Sequence, residues 1–168
     1  MIDVLWQELT SGLHDSKQLG HVIIRLLAAA ILGGIVGIQR ETTHKPAGLR
    51  THMLVSTATA AFVIESASGG LSVEGWSRVI QGIVTGIGFI GAGTILKISQ
   101  EHAIKGLTTA AGVWMTAAIG VTVGLGNLGI GLMVTLLTVI ILWLSKVEHN
   151  IEGDRSKRFN HSDESHSE

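Results

Sequence analysis

Cysteine is absent from the 168-residue sequence, and charged residues make up only 15% of it. Without cysteine, the chain has no disulfide framework, no thiolate metal site and no cysteine nucleophile. A water-soluble domain carries about 25% charged residues, so this chain has too few to cover a soluble surface. With 46% hydrophobic residues and a mean hydropathy of +0.44, the composition predicts a membrane protein.

Catalytic and metal-binding motifs are also missing. The sequence contains no Walker-type phosphate loop, no Ser-His-Asp grouping by spacing, and no paired acidic residues placed for acid–base chemistry. Its eight histidines are scattered, and no two stand at metal-ligand spacing on one helix. We therefore expect a protein that is not an enzyme and holds no cofactor. Bound Mg²⁺ stays an alternative with little support from the residues.

Five apolar runs follow one another, each close to the 20 or so residues that a membrane-spanning α-helix needs. They predict an all-α polytopic membrane protein with spans over residues 21–38, 49–67, 79–96, 107–125 and 128–144. Residues 1–20 are predicted to form an interfacial helix (1–14) and a linker, because apolar side chains recur there at helical spacing. The transmembrane domain is then 21–145, and the polar segment 146–168 is expected to be a disordered cytoplasmic tail.

Lysine and arginine predict the orientation, because they concentrate on the cytoplasmic side of a membrane protein. With the N-terminus outside, three of them fall on the outer side: Lys17, Arg25 and Arg78. The other nine fall on the inner side: Arg40, Lys45, Arg50, Lys97, Lys105, Lys146, Arg155, Lys157 and Arg158. We therefore expect an external N-terminus and a cytoplasmic C-terminus.

A short pattern occurs twice in the chain. Shifting the sequence by 58 positions places Gly48, Leu49 and Thr51 on Gly106, Leu107 and Thr109, and it places Gly33 on Gly91. We interpret this as an internal repeat of spans 1–2 and 3–4. Because two spans separate the copies, both have the same orientation, and a pseudo-two-fold axis along the membrane normal should relate them, with the fifth span on the flank.

Both copies of the pattern place basic residues around a predicted helix N-terminus, where free N–H groups and the helix dipole favour anions. The candidate functional motif comprises Gln39, Arg40, Glu41, Gly48, Leu49, Arg50, Thr51, His52, Lys105, Gly106, Leu107, Thr108 and Thr109. Thr51 and Thr109 are candidate helix caps or ligand hydroxyls. The anion would be a lipid phosphate, a carboxylate of a partner protein, or Glu41 itself. The alternative is ordinary pairing of basic inner loops with lipid headgroups.

Glycine is abundant inside the spans. Pairs spaced by four residues, at 33/37, 82/86 and 120/124, predict close helix packing. The dense run Gly86, Gly88, Gly91, Gly93 serves either as packing surface or as a mobile, partly unwound segment that lines a path. Trp114 is expected to pack between helices.

Charged residues inside the spans are few. Glu65 is the only carboxylate there, near the outer end of the second span, and is either an interfacial residue or an ion or proton group. Arg25 is expected to extend its side chain toward the outer surface, with a pair to Glu65 as the alternative.

Three long motifs, GIQRETTHKPAGLRTHMLV, GIGFIGAGTILK and KGLTTAAGVWMTAAIGVTVGLG, resemble the MgtC/SapB family of bacterial inner-membrane proteins, in order and approximate distance. The resemblance implies a link to growth in low magnesium, and in pathogens to survival inside phagocytes. It also implies modulation of other membrane machinery, including the F-type ATP synthase. This chain has Gln39 where the family usually has Glu, and it has no room for the additional C-terminal soluble domain of many members.

Three functions remain open at the level of sequence. The first is a membrane-embedded regulator that binds another membrane protein or lipid. The second is a transporter or channel for Mg²⁺ or another ion, and the third is a structural scaffold. The expected partners are the bilayer, a membrane protein and a second copy of the chain, but not nucleic acid.

Overall fold

The computed structural model describes residues 1–4, 16–70, 72–98 and 103–144. Within these ranges, five long helices and one short β-hairpin follow in the order α1 Ser16–Thr42, α2 Leu49–Ser68, α3 Val73–Gly93, β1 Leu96–Ile98, β2 Ala103–Lys105, α4 Leu107–Gly124 and α5 Leu128–Leu144. Each long helix coincides with one of the predicted apolar runs, except that the third run, predicted to end at residue 96, leaves the helix after Gly93 and enters β1 at Leu96. Of the predicted interfacial helix, residues 2–4 are helical and the rest lies outside the described residues, as does the predicted tail.

Two of these helices are long and apolar enough to cross a membrane by length and composition. They are the segment Lys17–Thr42 of α1 and the whole of α4, Leu107–Gly124. The helix α5 is apolar but shorter. Hydroxyl residues dilute α2, and polar residues occupy the first turn of α3, so neither is apolar enough by the same measure.

The start of α3 differs from the sequence-based prediction. The helix begins at Val73, earlier than the apolar run, because Ser72 caps it by accepting a hydrogen bond from the Gly75 N–H at 3.3 Å. Glu74 stands in the first turn, where a negative charge is favourable. A capped polar turn therefore precedes the apolar part of α3. The hydrophobicity of the sequence does not reveal this turn, because a capping side chain sets the start of the helix.

The connection between α3 and α4 contains the short β-hairpin, within a fold whose long elements are all α-helices, as predicted. The strands β1 and β2 are antiparallel, with Leu96 opposite Lys105 and Ile98 opposite Ala103. Each strand has three residues, too few to show an alternating pattern in the sequence.

The helix α2 lies at the centre of the bundle, with α1 on one side and α4 on the other. The helix α3 packs mainly on α4 and touches α2 only slightly, while α5 lies on the flank formed by α1 and α4. The largest buried apolar cluster joins these elements through Ala29, Leu32, Val36, Ala60, Ile119, Val123 and Leu142. A second cluster joins α3 and α4 to the α1–α2 loop through Ala47, Ile87, Val113 and Ala117.

Glycines bring α1 and α4 against the backbone of α2. A Cβ at Gly33 would lie 2.6 Å from the His52 carbonyl oxygen, and one at Gly37 would lie 2.6 Å from the Leu49 Cα. On the other side of α2, a Cβ at Gly124 would lie 2.9 Å from the Ala60 carbonyl oxygen. A Cβ at Gly120 would come closer still, to the Thr59 Oγ1 and the Ser56 carbonyl oxygen. These two glycine pairs let three backbones meet without intervening side chains.

The glycines of α3 are placed differently. A Cβ at Gly82, Gly86, Gly88 or Gly93 would meet no atom within 4 Å, whereas one at Gly91 would touch Ala110 of α4 at 3.6 Å. The pair at 82/86 therefore makes no close contact with another described helix. The run 86–93 is continuous α-helix to Gly93, not an unwound segment.

Candidate functional site

Arg40 joins the two copies of the sequence motif. It stands in the last turn of α1 and is only 2% exposed. Its Nη2 donates a hydrogen bond to Thr109 Oγ1, 2.9 Å away in the first turn of α4. Its Nε is buried without a hydrogen-bond partner, and no carboxylate among the described residues pairs with it. Among the described residues, the fold thus buries most of the Arg40 side chain and gives its guanidinium group one neutral side-chain partner, Thr109.

His52 is fully buried between α2 and α4. Its Nδ1 lies 2.7 Å from Thr116 Oγ1, and that hydroxyl also lies 2.9 Å from the Gly112 carbonyl oxygen. A hydroxyl has one hydrogen, so when Thr116 donates to Gly112 the imidazole Nδ1–H is the donor to Thr116. Nε2 is buried and forms no well-aligned hydrogen bond with another described residue. Ser56, one turn further along α2, also has a buried Oγ that finds no hydrogen-bond partner in the described part of the chain.

Together these side chains form what we call the polar seam, defined as Arg40, His52, Ser56, Thr109 and Thr116. It runs from the α1 C-terminus into the interface of α2 and α4. The motif analysis found Arg40, His52 and Thr109 but missed Ser56 and Thr116. Their signal was helical spacing: Ser56 follows His52 by four positions, and Thr116 follows Thr109 by seven.

Glu41 closes the N-terminus of α2. Its Oε2 accepts a hydrogen bond from the Leu49 N–H at 2.7 Å. A Cβ at Gly48 would lie 2.8 Å from the same oxygen, so a side chain at this position would displace the carboxylate. Of the three anions considered for the two helix starts, the Glu41 side chain is the one that occupies this N-terminus.

The N-terminus of α4 begins at Gly106, which has a φ of +102°. A Cβ at Gly106 would meet the Thr94 carbonyl group and would lie 3.1 Å from the Ile95 Cα, so α4 starts tightly against the end of α3. Neither helix start has a side-chain cap at its N-cap residue, Gly48 or Gly106. Thr109 accepts a hydrogen bond from Arg40 instead, so the candidate capping role is not what the structure shows for it.

The other motif residues lie outside the seam. Gln39 Nε2 donates to the Leu142 carbonyl oxygen at 3.3 Å and thereby links α1 to α5, while its Oε1 is buried and has no partner within the ranges that the structure describes. Arg50, Lys105, Leu107 and Thr108 are exposed, and Leu49 and Thr51 are half-buried. The exposed members surround the end of the bundle at which the seam begins.

Arg25 and Glu65 do not pair, in contrast to the alternative considered from the sequence. Arg25 Nη1 donates to the Gly124 carbonyl oxygen at 3.0 Å and so caps the C-terminus of α4. A Cβ at Gly126, whose φ is +87°, would lie 2.6 Å from Arg25 Nη2. Glu65 is exposed and lines a groove between α2 and α3. The half-exposed Trp114 lines a small cavity between α3 and α4.

The family model described as "MgtC family" matches residues 26–151, which contain every residue of the seam. The chain belongs to the MgtC family. Within the described ranges of this MgtC-family chain, no three His, Asp or Glu side chains converge as a metal site.

Relatives with this membership are 40 to 44% identical to the chain. "Putative magnesium transporter YhiD" of Escherichia coli K12 is 44% identical over 127 residues, which are 71% of this chain and 58% of YhiD. Protein SrpB of Synechococcus elongatus is 40% identical over 129 residues, 70% of this chain and 71% of SrpB. Protein MgtC of Salmonella typhimurium is 41% identical over 115 residues, 68% of this chain and 48% of that protein. The chain thus spans about half the length of several of these relatives. No solved structure matches it.

Proposed function

We propose that this MgtC-family chain is a bacterial inner-membrane protein of magnesium homeostasis that regulates another membrane component, rather than conducting Mg²⁺. The observation that carries this proposal is the buried Arg40, which has no carboxylate partner among the described residues. The surface that would bind the regulated component is the exposed basic end of the bundle around Arg50 and Lys105. One candidate for that component is the F-type ATP synthase, which the family resemblance suggests.

The proposed membrane arrangement has five spans, an external N-terminus and a cytoplasmic C-terminus. It is supported by the coincidence of five helices with five apolar runs. Large apolar side chains on the outside of the bundle also favour lipid contact, among them Phe89, which is 84% exposed, and Met133, which is 64% exposed. The unequal placement of lysine and arginine supports the orientation.

The proposed internal repeat is supported by two features offset by 58 positions. The helices α2 and α4 begin directly after the glycines Gly48 and Gly106. In addition, Gly33 of α1 packs on His52 of α2, while Gly91 of α3 packs on Ala110 of α4. These contacts are equivalent under the shift, although the α3–α4 contact is looser.

The charge of the seam argues against a path for Mg²⁺ between α1, α2 and α4. Mg²⁺ needs hard oxygen ligands, usually carboxylates, and the described part of the seam has none. A divalent ion about 6 Å from the Arg40 guanidinium would be opposed by about 5 kcal/mol at an effective dielectric constant near 20. Glu65 lies elsewhere, on the rim of the α2–α3 groove.

Transport remains the second candidate function because the name of the Escherichia coli relative refers to magnesium transport. A path in this chain would have to run outside the polar seam, with Glu65 as its acidic group. A scaffold role, in which the chain only holds other proteins in place, is the third candidate. We propose no enzymatic activity, because the Thr116 hydroxyl and the His52 imidazole are fully buried and no carboxylate of the described residues orients that imidazole.

Growth in low magnesium tests the regulatory proposal. Arg50 is exposed in the first turn of α2, so Arg50→Ala should leave folding and membrane abundance unchanged. If the basic surface binds a partner, this variant should lose support of growth, while the matched Arg50→Lys variant should keep it because the charge is retained. Normal growth with Arg50→Ala would contradict the proposal, and loss of the protein from the membrane would assign Arg50 a structural role instead.

Mg²⁺ entry into liposomes separates regulation from transport. Purified protein is reconstituted with an enclosed indicator, beside empty liposomes and the Glu65→Gln variant. The regulatory proposal expects no flux above the empty control from folded, inserted protein. Flux that exceeds the control and falls in Glu65→Gln would overturn it and identify a transporter.

A further inference from the structure

A large groove lies between α2 and α3. It has a volume of about 690 Å³ and exists because α3 packs mainly on α4 and leaves the face of α2 toward α3 largely uncovered. Its walls are mostly apolar, with Leu54 and Phe62 on α2 and Ile90 on α3. At one end the wall of α2 carries Glu65. The groove is thus an apolar surface with a carboxylate at its rim.

Two glycines form the edge of the groove on α3. Gly82 and Gly86 are one helical turn apart, and a Cβ at either would meet no atom within 4 Å. The chain's other two glycine pairs of this spacing, 33/37 and 120/124, are both in contact with the backbone of α2. A glycine inside a helix costs about 1 kcal/mol relative to alanine. The pair at 82/86 therefore has the form of a helix-contact surface, and no helix of the described chain covers it.

Opposite charges flank this surface at one end. Arg78 precedes Gly82 by four positions, so it extends the same stripe of α3 by one turn. Glu65 lies near the same end of the groove, because α2 ends at Ser68 and α3 begins at Val73, so Glu65 and Arg78 both stand within two turns of the short connection between them. Both side chains are exposed, and no ion pair joins either of them to another described residue. One surface thus offers bare backbone, an apolar wall, a guanidinium and a carboxylate.

We propose that this surface binds a second copy of the chain. In the dimer, a two-fold axis along the membrane normal relates the copies, and their α3 helices cross at Gly82 and Gly86. Each α3 enters the groove of its partner, and Glu65 of each copy pairs with Arg78 of the other. Self-complementarity favours a second copy over a different protein, because a two-fold axis joins each charge to its opposite and closes two ion pairs.

This inference rests on the proposed membrane arrangement, which holds both copies in one orientation, but not on the regulatory role. Its test uses leucine substitutions at two neighbouring glycines of α3. Gly86 lies on the groove, whereas Gly88 points away from it, and both are open within the chain. Gly86→Leu should weaken dimerisation at least about tenfold, and Gly88→Leu should not change it. The mass of the full chain in nanodiscs and in detergent, measured over a range of protein concentrations, gives the dissociation constant.

Two further variants make the test specific. Arg78→Glu should weaken the dimer, and adding Glu65→Arg should restore it, because the pair is then reversed rather than removed. The absence of native cysteine also allows single-cysteine cross-linking. Gly82→Cys should form a disulfide-linked dimer in membranes, and Gly88→Cys should not.

Several results would overturn the proposal. They are a wild-type chain that is monomeric at every concentration, equal effects of leucine at 86 and 88, and a monomer whose groove holds a lipid in native mass spectra. Co-purification with a different membrane protein that Gly86→Leu disrupts, without any dimer, would do the same. A monomer that still supports growth in low magnesium would refute the dimer and leave the regulatory proposal standing. A dimer that persists, together with normal growth of cells that carry Arg50→Ala, would support the dimer and refute the regulatory proposal.

Discussion

The hydrogen bond between Arg40 and Thr109 should contribute more to stability than any exposed polar contact at the same end of the bundle. Thr109→Val keeps the shape of the side chain but removes the acceptor of Arg40 Nη2. Because Arg40 Nε already has no partner, the variant would leave a buried charge with no hydrogen bond in the described structure. Hydrogen bonds to charged groups contribute about 1.5–3 kcal/mol, so we expect a loss of about 2–3 kcal/mol.

The neighbouring residue supplies the control. Thr108 is exposed and has the same side chain, so Thr108→Val should change stability by less than about 0.5 kcal/mol. Reversible unfolding in mixed detergent micelles, followed by tryptophan fluorescence, compares the two variants. In an Arg40→Met background, which removes the charge, Thr109→Val should cost almost nothing. Equal losses for the two valine variants, or an unchanged loss in the methionine background, would refute the argument.

Two further pairs of substitutions test the close helix contacts and the N-terminus of α2. Gly120→Ala should cost about 3 kcal/mol or more, because its Cβ would collide with Ser56 and Thr59 of α2. Gly129→Ala, which meets no atom within 4 Å, should be neutral or stabilise by up to about 1 kcal/mol in the same unfolding assay. Glu41→Gln should cost about 1 kcal/mol or less, because an amide oxygen can still accept from the backbone, whereas Glu41→Ala should cost about 1–2 kcal/mol. Similar losses for the two glycine variants, or for the two Glu41 variants, would contradict these assignments.

The helices were predictable because they follow from local chemistry. An apolar run of about 20 residues forms a helix wherever it is placed in a membrane, since no other structure satisfies its backbone. The runs 49–67, 107–125 and 128–144 accordingly coincide with α2, α4 and α5 to within a residue at nearly every end. The start of α3 was missed because a capping hydroxyl, not hydrophobicity, determines it.

The candidate site was predictable only in part. Repetition of the pattern drew attention to Arg40, His52 and Thr109, but the pattern does not specify which of its residues face one another. The sequence places Arg40 in an inner loop among other basic residues, whereas the fold buries it. Ser56 and Thr116 belong to the seam although both resemble ordinary helix hydroxyls in the sequence.

The sequence by itself determined membership of the MgtC family, the five helices and the unequal distribution of lysine and arginine between alternate loops. Each of these depends on residues close together in sequence or on their composition. Only the tertiary structure decided which glycine pairs form close contacts between helices. The pairs at 33/37 and 120/124 contact α2, while the pair at 82/86 is left open, although all three have the same spacing. The physical reason is that helix packing depends on which faces meet, and a spacing along one helix contains no information about its neighbour.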